Sequence, residues 1–249
     1  MISKREIKLI RSLRSLKYRR ETGLFLVEGE KSLVEVLSSP WKTELVVVTS
    51  SFLDKYPRFK NTAKSRIIET DPEILRSAGS LASNESGLAI VAMPKKKEFV
   101  EASGKLTIAG DGIRDPGNLG TLIRVADWYG IGEILLSKES ADVYNSKVIQ
   151  ASMGSFIRVG VFYEDLEEIF KRKKIPLIGT FPEGESIYSC SLPDEGYILF
   201  GNESQGIGDT LARYVDQHIA IPRFGEAESL NVAVSAAVVL DNFMRRKVS

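Results

Sequence analysis

At 249 residues, with 43% hydrophobic and 27% charged residues, the chain has the composition of a globular protein with room for two ordinary domains. The net charge of +1 excludes the strong overall basicity of many nucleic-acid binders. The single cysteine, Cys190, excludes an internal disulfide, and no Cys/His cluster offers a zinc site. The longest apolar-rich run, Val232 to Leu240, is too short to cross a bilayer. No apolar core follows the basic start Met1-Ile2-Ser3-Lys4-Arg5, so no signal peptide is expected and the location is read as cytoplasmic.

The charge is unevenly placed. Lys4, Arg5, Lys8, Arg11, Arg14, Lys17, Arg19 and Arg20 crowd the first twenty residues, opposed there only by Glu6. Ile7, Ile10, Leu13 and Leu16 recur among them at helical spacing, which predicts an amphipathic helix with a basic outer face. Two readings are open, a phosphate-binding face and a merely solvated one. From Phe25 to Met93 short β-like runs alternate with helical ones. Leu24 to Val27, Leu45 to Val48, Arg66 to Ile68 and Leu88 to Val91 read as strands. Glu30 to Leu37 and Asp71 to Ala78 read as helices, the second with Asp71 as N-cap and Pro72 at its first position. The charged run after Pro94 suggests a linker over residues 96–104, separating a domain at 1–95 from one at 105–249.

A second α/β series opens at Leu106 to Ala109. Further strands are expected at Glu133 to Leu136, Ile157 to Phe162, Pro176 to Thr180, Tyr197 to Phe200 and His218 to Ile221, and a helix from Leu230 to Arg245. This alternation predicts a mostly parallel sheet covered on both faces. His218 falls inside a strand pattern and reads as structural.

Three polar, glycine-bearing turns follow strand patterns, where open α/β folds bind ligands. Asp115-Pro116-Gly117-Asn118 feeds a helix that carries Arg124. Here Arg124 is either a phosphate or hydroxyl ligand with Asn118 fixing the loop, or a surface arginine behind an asparagine N-cap. Gly201-Asn202-Glu203 follows Tyr197 to Phe200, and its glycine would let a ligand approach the main chain closely. Glu203 either orders a polar network or accepts a proton, or else is a loop acid capping the next helix. After Ile221-Pro222, Ser229 reads as the cap of the last helix. Asn231 then falls in its first turn, an unfavourable place for asparagine beside Val232, Ala233 and Val234. There is no Ser/His/Asp triad and no Gly-x-Gly-x-x-Gly fingerprint.

In order and spacing the three segments resemble the SpoU (TrmH-type) branch of the SPOUT RNA methyltransferases. Asp115-Pro116-Gly117-Asn118-Leu119-Gly120 with Arg124-Val125-Ala126-Asp127 matches the first motif, and Gly201-Asn202-Glu203-Ser204-Gln205-Gly206 the second. Ile221-Pro222, Gly225 and Ser229-Leu230-Asn231-Val232-Ala233 match the third. The likeness spans about residues 105 to 245. Arg223 departs from it, standing where the family usually has methionine. Phe25-Leu26-Val27-Glu28-Gly29 before a helix resembles the family's ribosomal-protein-like substrate-binding domain.

The resemblance implies an α/β fold whose C-terminal, mostly parallel sheet ends in a trefoil knot, an exception to unknotted topology. It implies S-adenosylmethionine bound in that knot by main-chain groups, with Thr180, Gly201, Ile221 and Leu230 at cofactor positions. It also implies a homodimer, no metal, and methyl transfer to a ribose 2′-hydroxyl of RNA, with ribosomal RNA the leading substrate. Arg124, Asn118, Glu203, Ser229 and Asn231 take the catalytic positions. Because a guanidinium keeps its proton, Arg124 is expected to grip phosphate and stabilise the developing alkoxide, not to act as a base. The alternatives are transfer RNA as substrate, or a non-catalytic RNA-binding or ribosome-assembly protein on the same fold.

Overall fold

A computed structural model describes residues 2–60, 66–81 and 83–246. The chain divides into two compact units, Met1–Lys96 with Asp142–Ile157, and Lys97–Ala141 with Arg158–Ser249.

The first unit opens with α1 (Lys4–Ser12) and α2 (Leu16–Thr22). The single basic helix expected from the sequence is thus broken at residues 13–15. Ser3 and Glu6 form a capping box that starts α1, and Leu13 ends it. Ile10 and Leu13 of the predicted stripe are buried, whereas Leu16 is left half-exposed. Arg19 does not lie on the basic outer face. It is only 3% exposed, donating to the carbonyls of Leu13 (3.0 Å) and Arg14 (2.9 Å) and to Asp142 Oδ2 (2.6 Å). The carbonyls left over at the end of α1 therefore draw a cation inward.

The elements β1 (Leu24–Glu28), α3 (Glu30–Ser38), β2 (Thr43–Val48), α4 (Ser50–Lys55), β3 (Arg66–Glu69), α5 (Pro72–Ala78) and β4 (Gly87–Ala92) follow. The sheet order is β1-β4-β2-β3; β4 is antiparallel to both neighbours, and β2 and β3 are parallel. Asp71 stands at the N-cap position of α5 with Pro72 behind it, but its side chain makes no capping bond. Side chains alternate across the strands. Leu26, Leu45, Val47, Leu88 and Ile90 meet Ile10 and Leu13 of α1 and Leu75 of α5 in one core layer. Glu28, buried at the end of β1, accepts hydrogen bonds from the main-chain N–H groups of Ser80 (2.8 Å) and Leu81 (3.3 Å) and from the Ser80 hydroxyl.

The second unit begins with β5 (Leu106–Gly110), α6 (Pro116–Trp128) and β6 (Glu133–Ser137). Then α7 (Ser146–Ser152) packs on β1, although the linear reading placed residues 105–249 together. Tyr144 lies against Phe25 (ring centroids 4.8 Å apart), and Phe156 packs edge-on to Phe25 and Trp41. The chain continues as β7 (Gly160–Glu164), α8 (Leu166–Lys171), β8 (Leu177–Ser186), β9 (Gly196–Phe200), α9 (Asp209–Ala212), β10 (Gln217–Ala220) and α10 (Val232–Arg245). Residues 155–157 form a short 3-10 turn, so β7 starts later than the predicted Ile157.

All six strands of this sheet are parallel, in the order β10-β8-β9-β5-β6-β7. β5 and β9 are buried along their whole length, as expected of central strands in a parallel sheet. Leu166 and Phe170 of α8 and Leu211 of α9 close one face over Ala109, Leu135, Leu177, Tyr197 and Leu199. α6 packs on β6 and α10 on α6. β10 pairs with β8 in two registers, His218 opposite Gly179 and Ile219 opposite Glu185, so residues 180–184 bulge from the ladder. His218 stacks on Phe181 with ring centroids 4.2 Å apart.

Burial and the nearby Asp142 carboxylate push the Tyr144 phenol up to about 12. Its neutral form is favoured by folding, so this contribution is intact below pH ~10 and is lost as pH rises through 12, at most about 3 kcal/mol. Thermal melts of wild type and Tyr144→Phe from pH 8 to 12 are expected to show a smaller alkaline loss of stability in the variant. Identical losses would remove Tyr144 as a contributor.

Candidate functional site

The three motif turns follow the C-terminal ends of β5, β9 and β10, and β8 lies between β9 and β10 in the sheet. Such an edge collects main-chain groups that the ladder no longer pairs, which is why parallel sheets bind ligands there. Thr180 stands where β8 begins its bulge, Gly201 follows β9 and Ile221 follows β10. Thr180 Oγ1 donates to the Leu199 carbonyl (3.1 Å), fastening β8 to β9 at this level.

α6 starts with Asp115 as its N-cap: Asp115 Oδ1 accepts from Asn118 N (2.8 Å), and Pro116 takes the first helical position. The asparagine N-cap reading of Asn118 is thereby corrected. Asp115 satisfies the main-chain donor, which leaves the Asn118 side chain free to act elsewhere. Its Nδ2 donates to Glu203 Oε1 (2.7 Å), and its Oδ1 accepts from Asn231 Nδ2 (2.7 Å).

At the last helix Asn231, not Ser229, is the N-cap. Asn231 Oδ1 accepts from Ala233 N (2.9 Å) and Val234 N (3.3 Å). The expected conflict between asparagine and a helical first turn disappears, because Asn231 sits just outside the helix where asparagine is favoured. Ser229 is exposed and takes no part in the capping.

One hydrogen-bonded chain thus joins residues 85 and 113 positions apart: the N-terminus of α10, Asn231, Asn118 and Glu203. Its polarity is fixed. A carboxylate only accepts, so Asn118 turns its NH2 to Glu203 and its oxygen to Asn231. Asn231 must then donate with its NH2 and cap the helix with its oxygen.

Arg124 lies outside this chain. It is exposed on α6, and among the described residues it has no hydrogen-bond or ion-pair partner. Six positions on a helix turn it about 120° from Asn118 and about 9 Å along the axis. Thr121, Arg124 and Trp128 share the exposed side of α6, and Trp128 is 83% exposed. Leu230, just before Asn231, is 50% exposed.

What approaches Gly201 in the structure is its own chain. A Cβ there would lie 2.1 Å from the Gly206 carbonyl carbon and 2.3 Å from Ile207 N. Asn202 pairs with Gly206 in a narrow turn, accepts from Ser204 N (3.0 Å), and donates to the Gly112 carbonyl (2.7 Å). Asp111 Oδ2 accepts from Gly208 N (3.0 Å). Sequence reasoning passed over Asn202 and Asp111, which lock the second turn onto the end of β5. The Asn-x-Ser spacing of a side-chain-capped turn was the available signal for Asn202. Asp111 gave none. Among the described residues no three His, Cys, Asp or Glu side chains are grouped to hold a metal ion, and no helix is long and apolar enough to cross a membrane.

A model of the SpoU rRNA methylase family matches residues 105–241, and one of the MRM3-like substrate-binding domain matches residues 4–89. The 23S rRNA (guanosine(2553)-2′-O)-methyltransferase RlmP of Bacillus subtilis is 28% identical over 94% of each chain. The 23S rRNA (guanosine-2′-O-)-methyltransferase RlmB of Neisseria meningitidis is 29% identical over 90% of this chain and 91% of its own. A solved TrmH-family protein from Porphyromonas gingivalis superposes with a TM-score of 0.88 over 99% of both chains at 33% identity. The AdoMet-bound rRNA methyltransferase of Sinorhizobium meliloti gives 0.87 over 100% of this chain and 97% of its own at 26% identity. With the fold, the three turns and these likenesses in agreement, the chain belongs to the SpoU rRNA methylase family.

Proposed function

We propose that this protein is a cytoplasmic, homodimeric RNA 2′-O-methyltransferase that uses S-adenosylmethionine to methylate a ribose hydroxyl of ribosomal RNA. The hydrogen-bonded chain Glu203–Asn118–Asn231 carries the reading, because it gathers all three motif turns at the ends of neighbouring strands. The relatives named above as 23S rRNA 2′-O-methyltransferases supply the substrate class.

The strand ends suit the cofactor. Thr180, Gly201, Ile221 and Leu230 would hold it: Thr180 at the bulge within β8, Gly201 and Ile221 just past the ends of β9 and β10, and Leu230 beside Asn231. In this reading the chain threads a trefoil knot around that pocket. Bound S-adenosylmethionine supplies a methyl group already activated by its positive sulfur. The protein's remaining work is to place the hydroxyl in line and give its proton a route.

Arg124 suits the first task. An unpartnered, exposed guanidinium can take a phosphate oxygen bidentately and stabilise charge on the reacting oxygen beside it. Glu203, Asn118 and Asn231 hold the local dipoles in one orientation, and Ser229 lies next to them in sequence. Arg124 points away from its own chain's network, and Trp128, Leu230 and Val234 leave apolar surface on or beside α6 and α10. A second copy covering that surface would bring its Arg124 to the neighbouring network.

Labelled methyl transfer to unmodified ribosomal RNA tests the proposal. Arg124→Ala is expected to lower kcat at least 100-fold while S-adenosylmethionine affinity changes less than threefold. Mixing Arg124→Ala with Asn231→Ala chains is expected to restore about one quarter of wild-type activity, since half the dimers would be mixed and each would hold one intact site. Normal turnover by Arg124→Ala would overturn its role, and absence of any rescue would overturn its action across the dimer. Label in transfer RNA alone would replace the substrate class. S-adenosylmethionine binding without methylation of any RNA would favour a non-catalytic RNA-binding protein.

A further inference from the structure

Of the eight basic residues among the first twenty, the structure takes three out of circulation to different degrees. Arg19 is buried on Asp142, Arg11 donates to the Ser77 carbonyl (2.8 Å), and Arg14 donates to the Gly79 carbonyl. Lys17 faces Glu21 at 3.9 Å. Lys4, Arg5 and Lys8 are exposed on α1, and among the described residues they have no hydrogen-bond or ion-pair partner. Glu6, the only acid in this stretch, is already engaged. It accepts from Ser3 N (2.7 Å) and Arg66 Nη1 (2.6 Å), and those bonds hold its carboxyl below the usual range, with the Ser3 main chain the largest cause.

The helix that carries these cations is firmly set. Its apolar side, with Ile10 and Leu13 fully buried, packs into the core of the first unit, and Arg11 ties it to α5. With 100° per residue, Lys4, Arg5, Lys8 and Arg11 fall on the half of α1 opposite Ile7, Ile10 and Leu13. Lys4, Lys8 and Arg11 line one shallow groove with Ile7. Beyond residue 20 acidic residues outnumber basic ones, so this face is a local positive field on an otherwise negative chain.

From this juxtaposition we propose that the exposed face of α1 docks on the phosphate backbone of a double-stranded RNA segment, so that it positions the RNA without reading its sequence. The inference rests on the methyltransferase reading above and assigns its RNA contact to a particular surface. Lys4 and Lys8 are flexible point charges that suit phosphate oxygens, and the Arg5 guanidinium beside them can grip a phosphate bidentately. A duplex is favoured over a single strand because single-strand grooves use aromatic stacking platforms. No exposed aromatic residue lies on α1; Tyr18, on α2, is the one exposed aromatic among the described residues up to Gly23.

The test is binding of the full-length protein to a fluorescein-labelled RNA duplex of about 20 base pairs, and to a single strand of equal length, over a series of salt concentrations. Lys4→Gln/Arg5→Gln/Lys8→Gln is compared with Lys95→Gln/Lys96→Gln/Lys97→Gln, which removes the same charge elsewhere, and with Tyr18→Ala. Thermal melts confirm that each variant folds. The α1 variant is expected to bind the duplex at least tenfold more weakly at low salt. Its log–log salt slope should be shallower by about 2, because each lost phosphate contact removes about 0.7–0.9. An unchanged slope, or an equal loss in the Lys95–Lys97 variant, would overturn the proposal. A loss confined to the single strand and shared by Tyr18→Ala would overturn the choice of duplex. In both cases wild-type methylation of ribosomal RNA would leave the enzymatic reading standing. A wild type that neither methylates nor binds RNA would remove both together.

Discussion

Asn118 is the joint on which the site depends. Its amide has one donor end and one acceptor end, and both are taken, by Glu203 and Asn231. The side chain is free for this because Asp115, three residues earlier, has taken over the capping of α6. Asn231 repeats the economy at α10, where one oxygen serves two main-chain donors and the NH2 remains for Asn118. Two helix starts and one strand end are thereby set against each other by three side chains. The chain is near solvent, so each link contributes only about 1 kcal/mol in the free protein. Its value lies in orientation, and each link would strengthen wherever water is excluded from it.

The parallel sheet makes that joint possible. β5, β9, β8 and β10 are neighbours, although β5 and β10 are more than a hundred residues apart in sequence. Their ends are therefore brought to one edge by main-chain pairing alone, before any polar contact forms. The bulge at residues 180–184 then lets β8 turn away from β9 without losing its second stretch of pairing to β10. Asn202 and Asp111 fasten the turn after β9 to the end of β5, which places Glu203 within reach of Asn118. Gly201 is needed for that fastening, since the Gly206–Ile207 main chain occupies the space a side chain would fill.

Strands were legible in the sequence wherever apolar runs were long and bounded, as at Leu45 to Val48 and Tyr197 to Phe200. The parallel sheet followed from their alternation with helices. Capping was misread at Ser229 and left open at Asn118. Asp115, Asn118, Ser229 and Asn231 are all good caps by composition, and only geometry decides which one stands at the first non-helical position. The break after α1 was hidden because the apolar stripe continues through Leu13 to Leu16 in phase. Arg19 looked like one more surface cation; its burial depends on Asp142, over a hundred residues away, which no local pattern encodes. The same distance hid the packing of residues 142–157 on the first unit. Family resemblance brought Asn118, Glu203 and Asn231 together as names, and the fold joins them by hydrogen bonds.

The interdependence of those bonds is the central physical claim, and a double-mutant cycle measures it most directly. Methyl transfer kcat/KM on ribosomal RNA would be determined for wild type, Asn118→Ala, Glu203→Ala and the double variant. A shared network should give a double variant little worse than the poorer single variant, with a coupling of at least about 1 kcal/mol. Strictly additive losses would mean that Asn118 and Glu203 act separately, and the hydrogen-bonded chain would not be the element that organises the site.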